Sequence, residues 1–421
     1  MKLCIHTLGC KVNLYESVCI EEEFIKHGYE VTDNNEEADV IVINTCTVTN
    51  QADAKSRKLI RQARRENENA CLVICGCSSE HHKDELLDLG VNILLGTDGK
   101  TRIYSLVTKW LEEKETVSLF TDMRFAKFEN MAINHMEGKT RGFVKIEDGC
   151  NNFCTFCIIP FMRGRTRSKD FNEAVEEINT LANNGYQEVV LTGIHTGAYG
   201  EGEDFDLTDL IREVSKNDNL KRIRISSIEI TELNDKFMEE LKNNKKICSH
   251  MHVPVQCPND EILKAMHRKY TLDEFKNKVN ELRRIRPDIN ITTDLIVGFP
   301  GETDAIFNSV LDECVNIGFS KIHTFPYSMR TGTKAAEMEQ VKDSDKKDRT
   351  SKMLRMSDML ESKYYQQFIG KELTILVEDG IHGFSDNYIK VTLNKEMPVN
   401  SMVKVVVTSV DGISVNADVI V

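Results

Sequence analysis

The spacing of hydrophobic positions along this chain predicts three regions that differ in architecture. The first region, residues 1–112, alternates short apolar runs with stretches of helical period. Its strand-like runs lie at residues 2–7, 40–44, 71–75 and 91–95, and its amphipathic stretches include residues 14–27 and 52–66. Such alternation predicts an α/β domain, Rossmann- or flavodoxin-like, with helices covering a parallel sheet. Residues 113–139 are charged and weakly periodic, so we expect a linker there.

A second alternating series occupies residues 140–367. Its predicted strands are residues 142–147, 188–192, 222–226, 250–255, 289–297 and 321–325. Helical patterns separate them at residues 172–183, 235–243, 272–285 and 305–317, and a charged helix follows at 343–368. Six strand–helix units are too few for a closed eight-fold barrel, so we expect an open, partial (β/α)6 barrel of the TIM-like kind. Ligand sites of such sheets gather at the carboxyl ends of the strands.

The third region, residues 368–421, changes to a period of two. Alternating runs lie at residues 373–378, 388–392, 402–408 and 412–421, separated by Gly, Asn and Asp. This pattern predicts a small all-β barrel appended to the α/β domains.

Composition narrows the class of protein. The chain has 421 residues, of which 40% are hydrophobic and 29% charged, as in an ordinary soluble protein. No stretch approaches the length of apolar sequence that a membrane span needs, and the N-terminus lacks the apolar core of a signal peptide. The 13 cysteines therefore indicate thiols and metal ligands in a reducing cytoplasm. The net charge of −13 limits nucleic-acid contacts to local basic patches.

Three cysteines in one loop carry the strongest chemical signal. Cys150, Cys154 and Cys157 stand at CxxxCxxC spacing after a predicted strand, with Phe156 just before the third. Closed iron–sulfur and structural zinc sites take four ligands, and no fourth Cys or His follows within twenty residues. The loop therefore predicts a 4Fe–4S cluster with one open iron, in preference to a zinc knuckle, a ferredoxin site or a disulfide.

A second set of cysteines is dispersed along the first region. Cys10, Cys46 and Cys77 each follow one of its first three predicted strands. Neighbouring parallel strands would bring these loops to one edge of the sheet, where three thiolates can hold another cluster. Free cysteines are also common packing residues, and Cys75 is an alternative third ligand. We prefer Cys77 because it lies beyond the strand end.

These motifs resemble those of a known family. The loop at 149–157 resembles the radical S-adenosylmethionine (SAM) signature, and with both cysteine sets the chain resembles the radical-SAM methylthiotransferases over nearly its whole length. Thr7-Leu8-Gly9-Cys10-Lys11-Val12-Asn13 looks like the branch that modifies threonylcarbamoyladenosine in tRNA. The isopentenyladenosine branch usually has Gly-Cys-Gln-Met-Asn here, and the ribosomal-protein branch lacks the Lys-Val-Asn. Further matches lie at residues 224–229, 252–256, 294–302, 323–328 and 383–388.

The chain departs from the family pattern at three places. Ile230 follows Glu229 where the family usually has Pro, and Cys257-Pro258 replaces a Ser-Gly pair. Residues 329–331 replace a stretch richer in proline. None of these changes removes a predicted cluster ligand.

The resemblance implies a function and its cofactors. It implies a transferase that methylthiolates carbon 2 of N6-threonylcarbamoyladenosine at position 37 of tRNA, next to the anticodon. It assigns a radical 4Fe–4S cluster to Cys150, Cys154 and Cys157, and an auxiliary 4Fe–4S cluster to Cys10, Cys46 and Cys77. One SAM donates the methyl group and another gives the radical, with an electron from a donor such as flavodoxin.

The tail resembles a TRAM-like RNA-binding barrel. Candidate SAM contacts are Phe156, Thr192, Gly193, Ser227, Glu229, Ile296 and Gly298.

Two basic runs are candidate contacts to the anticodon stem-loop. The predicted contacts are Lys55, Arg57, Lys58, Arg61, Arg64 and Arg65 on one helix, and Arg163, Arg165 and Arg167 after the radical loop. Charge runs are often only solvated faces. Two such runs on an acidic protein, one beside the active centre, favour phosphate contacts.

Competing functions share part of this pattern. The same chemistry could act on isopentenyladenosine in tRNA or on a ribosomal protein, but the Lys11-Val12-Asn13 signature favours the threonylcarbamoyl substrate. A non-catalytic iron–sulfur carrier would need neither a six-unit barrel nor a large substrate opening.

Overall fold

The N-terminal domain is a six-stranded parallel sheet covered by helices, in a computed structural model that describes residues 1–420. The strand order is β2-β1-β3-β4-β5-β6. The strands are β1 (Lys2–Thr7), β2 (Glu30–Val31), β3 (Val40–Thr45), β4 (Cys71–Gly76), β5 (Ile93–Leu95) and β6 (Val117–Leu119). The helices are α1 (Lys11–Lys26), α2 (Asn50–Glu66), α3 (Cys77–His81), α4 (Lys83–Leu87) and α5 (Ile103–Glu113). Strand β6 lies inside the predicted linker.

The two central strands explain why this domain folds as predicted. Every residue of β3 and β4 is buried, because helices cover both faces of the sheet. Separate apolar clusters form on the two faces, one around Phe24 and the other around Ile60. Thr49 caps the start of helix α2, because its side chain accepts a hydrogen bond from the amide of Ala52.

The central domain is a partial barrel of six parallel strands. They are β7 (Arg141–Lys145), β10 (Glu188–Thr192), β11 (Arg222–Ile225), β12 (His250–His252), β13 (Asn290–Val297) and β14 (Lys321–Pro326). Strands β7, β10 and β11 pair in one sheet and β12, β13 and β14 in another. A single bridge between Ile223 and Ile247 and a hydrogen bond from the amide of Ile228 to His252 connect the two. Among residues 1–420 no pairing joins β14 to β7, so the barrel is open there, as predicted.

Helices and one hairpin complete the central domain. The helices of this domain are α6 (Ile159–Arg163), α7 (Phe171–Asn183), α8 (Leu207–Val214), α9 (Asp235–Asn243), α10 (Asp260–Ala265), α11 (Leu272–Ile285) and α12 (Asp304–Ile317). The long α13 (Asp343–Gln366) packs against β14. The short antiparallel pair β8 (Glu147–Asp148) and β9 (Arg167–Ser168) brackets the cysteine loop.

The C-terminal domain is a closed five-stranded barrel, which confirms the predicted all-β tail. Its strands are β15 (Glu372–Val377), β16 (His382–Ser385), β17 (Lys390–Leu393), β18 (Met402–Asp411) and β19 (Ser414–Ile420), in the order β15-β16-β17-β19-β18. The last predicted strand extended to Val421, which lies outside the described residues.

This small barrel docks on the amino ends of the central strands. Arg222 donates to the carbonyl oxygen of Phe384, and Arg224 donates to those of Ser385 and Asp386. Both guanidinium groups also pair with buried Glu188. The C-terminal barrel thereby closes the bottom of the central barrel, opposite the cysteine loop.

Within residues 1–420, none of the helices combines the length and apolar character that a bilayer crossing requires.

Candidate functional site

The loop that carries Cys150, Cys154 and Cys157, the radical triad, is held tightly at the carboxyl edge of the central barrel. Gly149 has a φ of +90°, and a Cβ there would lie 2.1 Å from the carbonyl oxygen of Arg165. The position therefore requires glycine. The hydroxyl of Thr155 donates to Ala265, which fixes the loop to the end of α10.

Groups distant in sequence surround the radical triad. Arg268 Nη1 lies 3.4 Å from Cys154 Sγ and also pairs with Glu229. His195 contacts Cys150 and Glu232; burial lowers its pKa, but these two groups outweigh burial and raise the pKa to about 11. Sequence reasoning missed Arg268 and His195, because neither lies in a local motif.

Cys10, Cys46 and Cys77, the auxiliary triad, converge at one edge of the N-terminal sheet. Cys10 follows β1, Cys46 follows β3 and Cys77 follows β4, and these three strands are neighbours. A Cβ on Gly9 would meet Cys46 Sγ at 2.9 Å, so the first two loops touch. Cys77 Sγ lies 3.3 Å from Arg163 Nε, and the same guanidinium group binds Asn13 of the loop and helix that follow Cys10, whereas Cys75 packs in the apolar cluster around Phe24. Of the two alternatives, the geometry favours Cys77.

The donor chemistry of both triads fits an iron–sulfur cluster. Among residues 1–420, only Asp53, His81 and His82 place three donor atoms within 4.8 Å of one another. The sulfurs of each triad are therefore spread more widely than a single zinc ion requires, since a Zn–S bond is about 2.3 Å. Burial raises the pKa of Cys77 to about 11 and that of Cys157 to about 12, so bound metal is needed to stabilise these thiolates.

Arg163 joins the auxiliary triad to the central barrel. Its Nε lies 3.3 Å from Cys77 Sγ, and its Nη2 lies 2.7 Å from Asn13 Oδ1. Its Nη1 pairs with Glu16 of the N-terminal domain and with Asp148 of β8. Arg163 is fully buried, so its predicted contact with RNA is wrong. The sequence did not reveal this structural role of Arg163, because the spacing of basic residues does not distinguish buried cations from exposed ones.

Three adjoining cavities lie in and beside the central barrel, and Asp294 lines all of them. The first, of about 210 Å³, is lined by the radical triad with Phe156, Ser227 and Glu229. The second, also of about 210 Å³, lies between Thr49 and Cys157 and is lined by Phe156 and Ile296. The third, of about 420 Å³, occupies the barrel interior.

Four of the candidate SAM contacts therefore line cavities and three do not. Thr192 is buried, and Gly193 packs so closely on Glu147 that a Cβ would lie 2.7 Å from its Oε2. The amide of Gly298 donates to Glu302. Thr192, Gly193 and Gly298 line none of the three cavities, and their contact with SAM stays a prediction.

The two basic runs differ in how many of their side chains are exposed to solvent. On α2 the exposed side chains are Lys55, Lys58, Arg61 and Arg65. Arg57 pairs with Glu85, and Arg64 donates to carbonyl oxygens that include those of Gly90 and Ala70. After the radical loop, Arg165 is exposed and lies over the ring of Phe153. Arg167 is mostly buried and donates to Arg165 O.

Comparison with known proteins agrees with this geometry. The radical SAM superfamily matches residues 144–314, and the uncharacterized protein family UPF0004 matches residues 2–96. The threonylcarbamoyladenosine tRNA methylthiotransferase of Bacillus subtilis is 40% identical over 415 residues, 95% of this chain and 92% of the relative. This chain belongs to the radical-SAM methylthiotransferase family, in the threonylcarbamoyladenosine tRNA branch. That membership confirms the predicted family and the prediction of a radical-SAM enzyme.

Other relatives define the neighbouring branch and the fold. The threonylcarbamoyladenosine enzyme of Thermotoga maritima is 37% identical over 92% of this chain and 90% of its own. A tRNA-2-methylthio-N(6)-dimethylallyladenosine synthase of Acetivibrio thermocellus is 34% identical over 89% of this chain and 80% of its own. The radical S-adenosylmethionine methyltransferase TsrM of Kitasatospora setae superposes with a TM-score of 0.58 at 15% identity, covering 80% of this chain and 77% of its own. That likeness confirms the α/β radical-SAM fold.

Proposed function

We propose that this chain methylthiolates carbon 2 of N6-threonylcarbamoyladenosine at position 37 of tRNA, using SAM and two 4Fe–4S clusters. The observation that carries the proposal is a group of adjoining cavities that contacts both the radical triad and the loops of the auxiliary triad. Residues that follow Cys10 and Cys46 line the same group of adjoining cavities as the radical triad. A reaction that joins a radical centre to a sulfur-carrying centre needs such a shared chamber.

The cofactors would be divided between the triads. Cys150, Cys154 and Cys157 would hold the radical cluster, and Cys10, Cys46 and Cys77 the auxiliary cluster. When bound, these groups and SAM supply a carbon radical, a sulfur and a methyl group, which no side-chain acid or base can provide. Three thiolates per cluster leave one ligand position for SAM or for sulfur.

The protein residues would orient the reactants and exclude water. Phe156 faces two of the cavities and would pack against the adenine of SAM. Ser227 lines the first cavity and would bind a polar group of SAM. Glu229 would act together with Arg268, because the two side chains form an ion pair beside Cys154.

RNA binding would use the exposed cations and the C-terminal barrel. Lys55, Lys58, Arg61, Arg65 and Arg165 are free of carboxylate partners within the described residues and would contact phosphates. A base in the anticodon loop is accessible without melting a duplex. A small electron donor such as flavodoxin would reduce the radical cluster. The reaction would take place in the cytoplasm, where thiols stay reduced.

Isopentenyladenosine is the second candidate substrate. The two tRNA branches share fold and cysteines, and relatives of the second branch reach 34% identity. The signature at residues 7–13 and the higher identity to the first branch favour the threonylcarbamoyl substrate.

The test uses anaerobically reconstituted protein with SAM, a reductant and synthetic anticodon stem-loops. We expect mass spectrometry of the digested RNA to detect the 2-methylthio product from the threonylcarbamoyl stem-loop. A stem-loop with isopentenyladenosine and a ribosomal protein preparation serve as controls. Product from either control, and none from the threonylcarbamoyl RNA, would reject the proposed substrate.

A further inference from the structure

The largest of the three cavities lies inside the central barrel and has a polar lining. Alternate residues of β12, β13 and β14 face it: His250 and His252, Asn290, Thr292 and Asp294, and Lys321 and His323. Phe384 and Tyr388 of the C-terminal barrel form its floor. Its volume of about 420 Å³ is in the range of small-molecule sites.

Lys11 enters this cavity from the N-terminal domain. It is the first residue of α1 and directly follows Cys10 of the auxiliary triad. Its side chain is exposed, and among residues 1–420 no carboxylate lies within 4.0 Å of its ammonium group. Arg141 and Arg224 are neighbours of the same charge sign, whereas Tyr388 and Asp294, which line the same cavity, favour the charged ammonium group.

The other cations around Lys11 already have partners. Lys321 pairs with Glu361 at 3.0 Å, Arg224 with Glu188 at 2.7 Å, and Arg141 with Glu378 at 2.7 Å. Lys390, on the floor, is the other lining cation without a carboxylate partner. Among the described residues that line this cavity, only Lys11 combines an unpaired charge with a position beside the cysteine loops.

We propose that the ammonium group of Lys11 binds the carboxylate of the threonyl group on the substrate base and so selects this substrate. The inference rests on the proposed function and deepens it. A threonylcarbamoyl group carries a carboxylate, whereas an isopentenyl group is an uncharged hydrocarbon. An ammonium group pairs with the first and gains nothing from the second.

The arrangement also accounts for the position of the target carbon. Asp294 lines both this cavity and the one that contains the radical triad. A base whose N6 substituent extends toward Lys11 therefore presents its ring near the junction of the cavities. Lys11 lies next to Cys10, so that junction is also close to the auxiliary triad. Binding of the carboxylate thus orients the base between the two centres.

The test measures binding by the holoenzyme, with both clusters, without reductant. Two anticodon stem-loops are compared, one with threonylcarbamoyladenosine and one with its methyl ester, which differ only in the carboxylate charge. We expect wild type to bind the acid more tightly than the ester. Lys11→Met should reduce that preference roughly 10- to 100-fold, by weakening binding of the acid alone. Lys11→Gln should behave similarly, and Lys11→Arg should keep most of the preference.

The control is Lys390→Met, which removes the other unpaired ammonium group of the same cavity. Retention of the acid preference in Lys390→Met supports the assignment to Lys11, and equal loss in both variants overturns it. An unchanged preference in Lys11→Met and Lys11→Gln also overturns it. If wild type converts the acid RNA to product in the separate assay with SAM and a reductant, such a result leaves the proposed function standing. If wild type makes no product and binds both RNAs equally, both proposals fail.

Discussion

The two cysteine triads reach similar geometry by opposite routes. The radical triad comes from one loop of eight residues, from Cys150 to Cys157, fixed to the barrel edge by hydrogen bonds such as that from Thr155. The auxiliary triad comes from three loops spread between Cys10 and Cys77, which only the parallel sheet brings together. The first depends on local chain geometry and the second on the whole N-terminal fold.

One arginine touches a sulfur in each triad, and the two arginines differ in their partners. Arg268 of the central barrel contacts Cys154 and pairs with the single carboxylate of Glu229. Arg163 contacts Cys77 from another domain and pairs with Glu16 and Asp148. The auxiliary triad therefore depends on a domain interface, whereas the radical triad does not.

Removing a ligand from each triad should separate their roles most clearly. We expect Cys154→Ala and Cys77→Ala each to lose about four of about eight irons. Cys154→Ala should abolish formation of 5′-deoxyadenosine, whereas Cys77→Ala should keep it and lose the methylthio product. Iron analysis and chromatography measure both. Cys75→Ala is the matched control, and loss of iron from it would move the ligand assignment to Cys75.

Replacing the arginines should affect folding unequally. Arg163→Met leaves buried Glu16 and Asp148 with fewer cations, and breaking a buried pair costs about 3–5 kcal/mol. Arg268→Met removes one ion pair and should cost less. Urea unfolding of the metal-free protein is followed by far-ultraviolet circular dichroism, which reports on all three domains, and by the fluorescence of Trp110, the single tryptophan, which reports on the N-terminal domain. Arg163→Lys should lose less stability than Arg163→Met. Equal urea midpoints for Arg163→Met and Arg268→Met would contradict the expected difference between the two arginines.

The carboxylates next to the two triads should respond to pH in opposite directions. Burial raises the pKa of Glu147, below the radical loop, to about 8. The stability from its neutral form is complete below its ordinary pKa of 4.5 and is lost as the pH rises through about 8. Burial would also raise the pKa of Glu16, but Lys100, Lys145 and Arg163 outweigh it and lower the pKa. The stability from charged Glu16 is therefore present above its ordinary pKa and is lost in acid.

Calorimetry of the metal-free protein checks this contrast. Glu147→Gln should raise the melting temperature relative to wild type at pH 9, by a change worth a few kcal/mol, and much less at pH 6. Glu16→Gln should lower it at both pH values, because it leaves three buried cations without their shared partner. The same change at pH 6 and pH 9 for Glu147→Gln would refute the assigned ionisation.

The smallest effect should come from the exposed cations of α2, the helix that follows Cys46. Replacing Lys55, Lys58 and Arg61 with Ala should weaken tRNA binding and reduce its salt dependence by a slope of about 1 per lost phosphate contact. Binding at several salt concentrations measures that slope. A matched variant removes three exposed lysines of the central domain, Lys216, Lys242 and Lys245. An equal reduction in both variants would assign the effect to net charge alone.

Hydrophobic spacing predicted most of the fold because the long elements carry clear periods. Strand β4, for example, ends one residue from its predicted end, and α11 matches its prediction at both ends. Strands β2 and β6, of two and three residues, are too short to have a period, so they were missed. The radical loop was evident as a motif, whereas the auxiliary triad required the order of the strands. Arg268 and His195 lie far along the chain from the cysteines they contact, and no local pattern marks them.

The C-terminal barrel has a consequence for how efficiently SAM is used. Phe384 and Tyr388 form one wall of the space in which the base is proposed to react, so the domain is part of the reaction chamber as well as a candidate RNA contact. An enzyme shortened before Glu372 would leave that chamber open to water at its base. Such a shortened enzyme would cleave SAM without modifying RNA. The ratio of deoxyadenosine formed to RNA modified, compared with that of the full chain, would measure how well the C-terminal barrel excludes water.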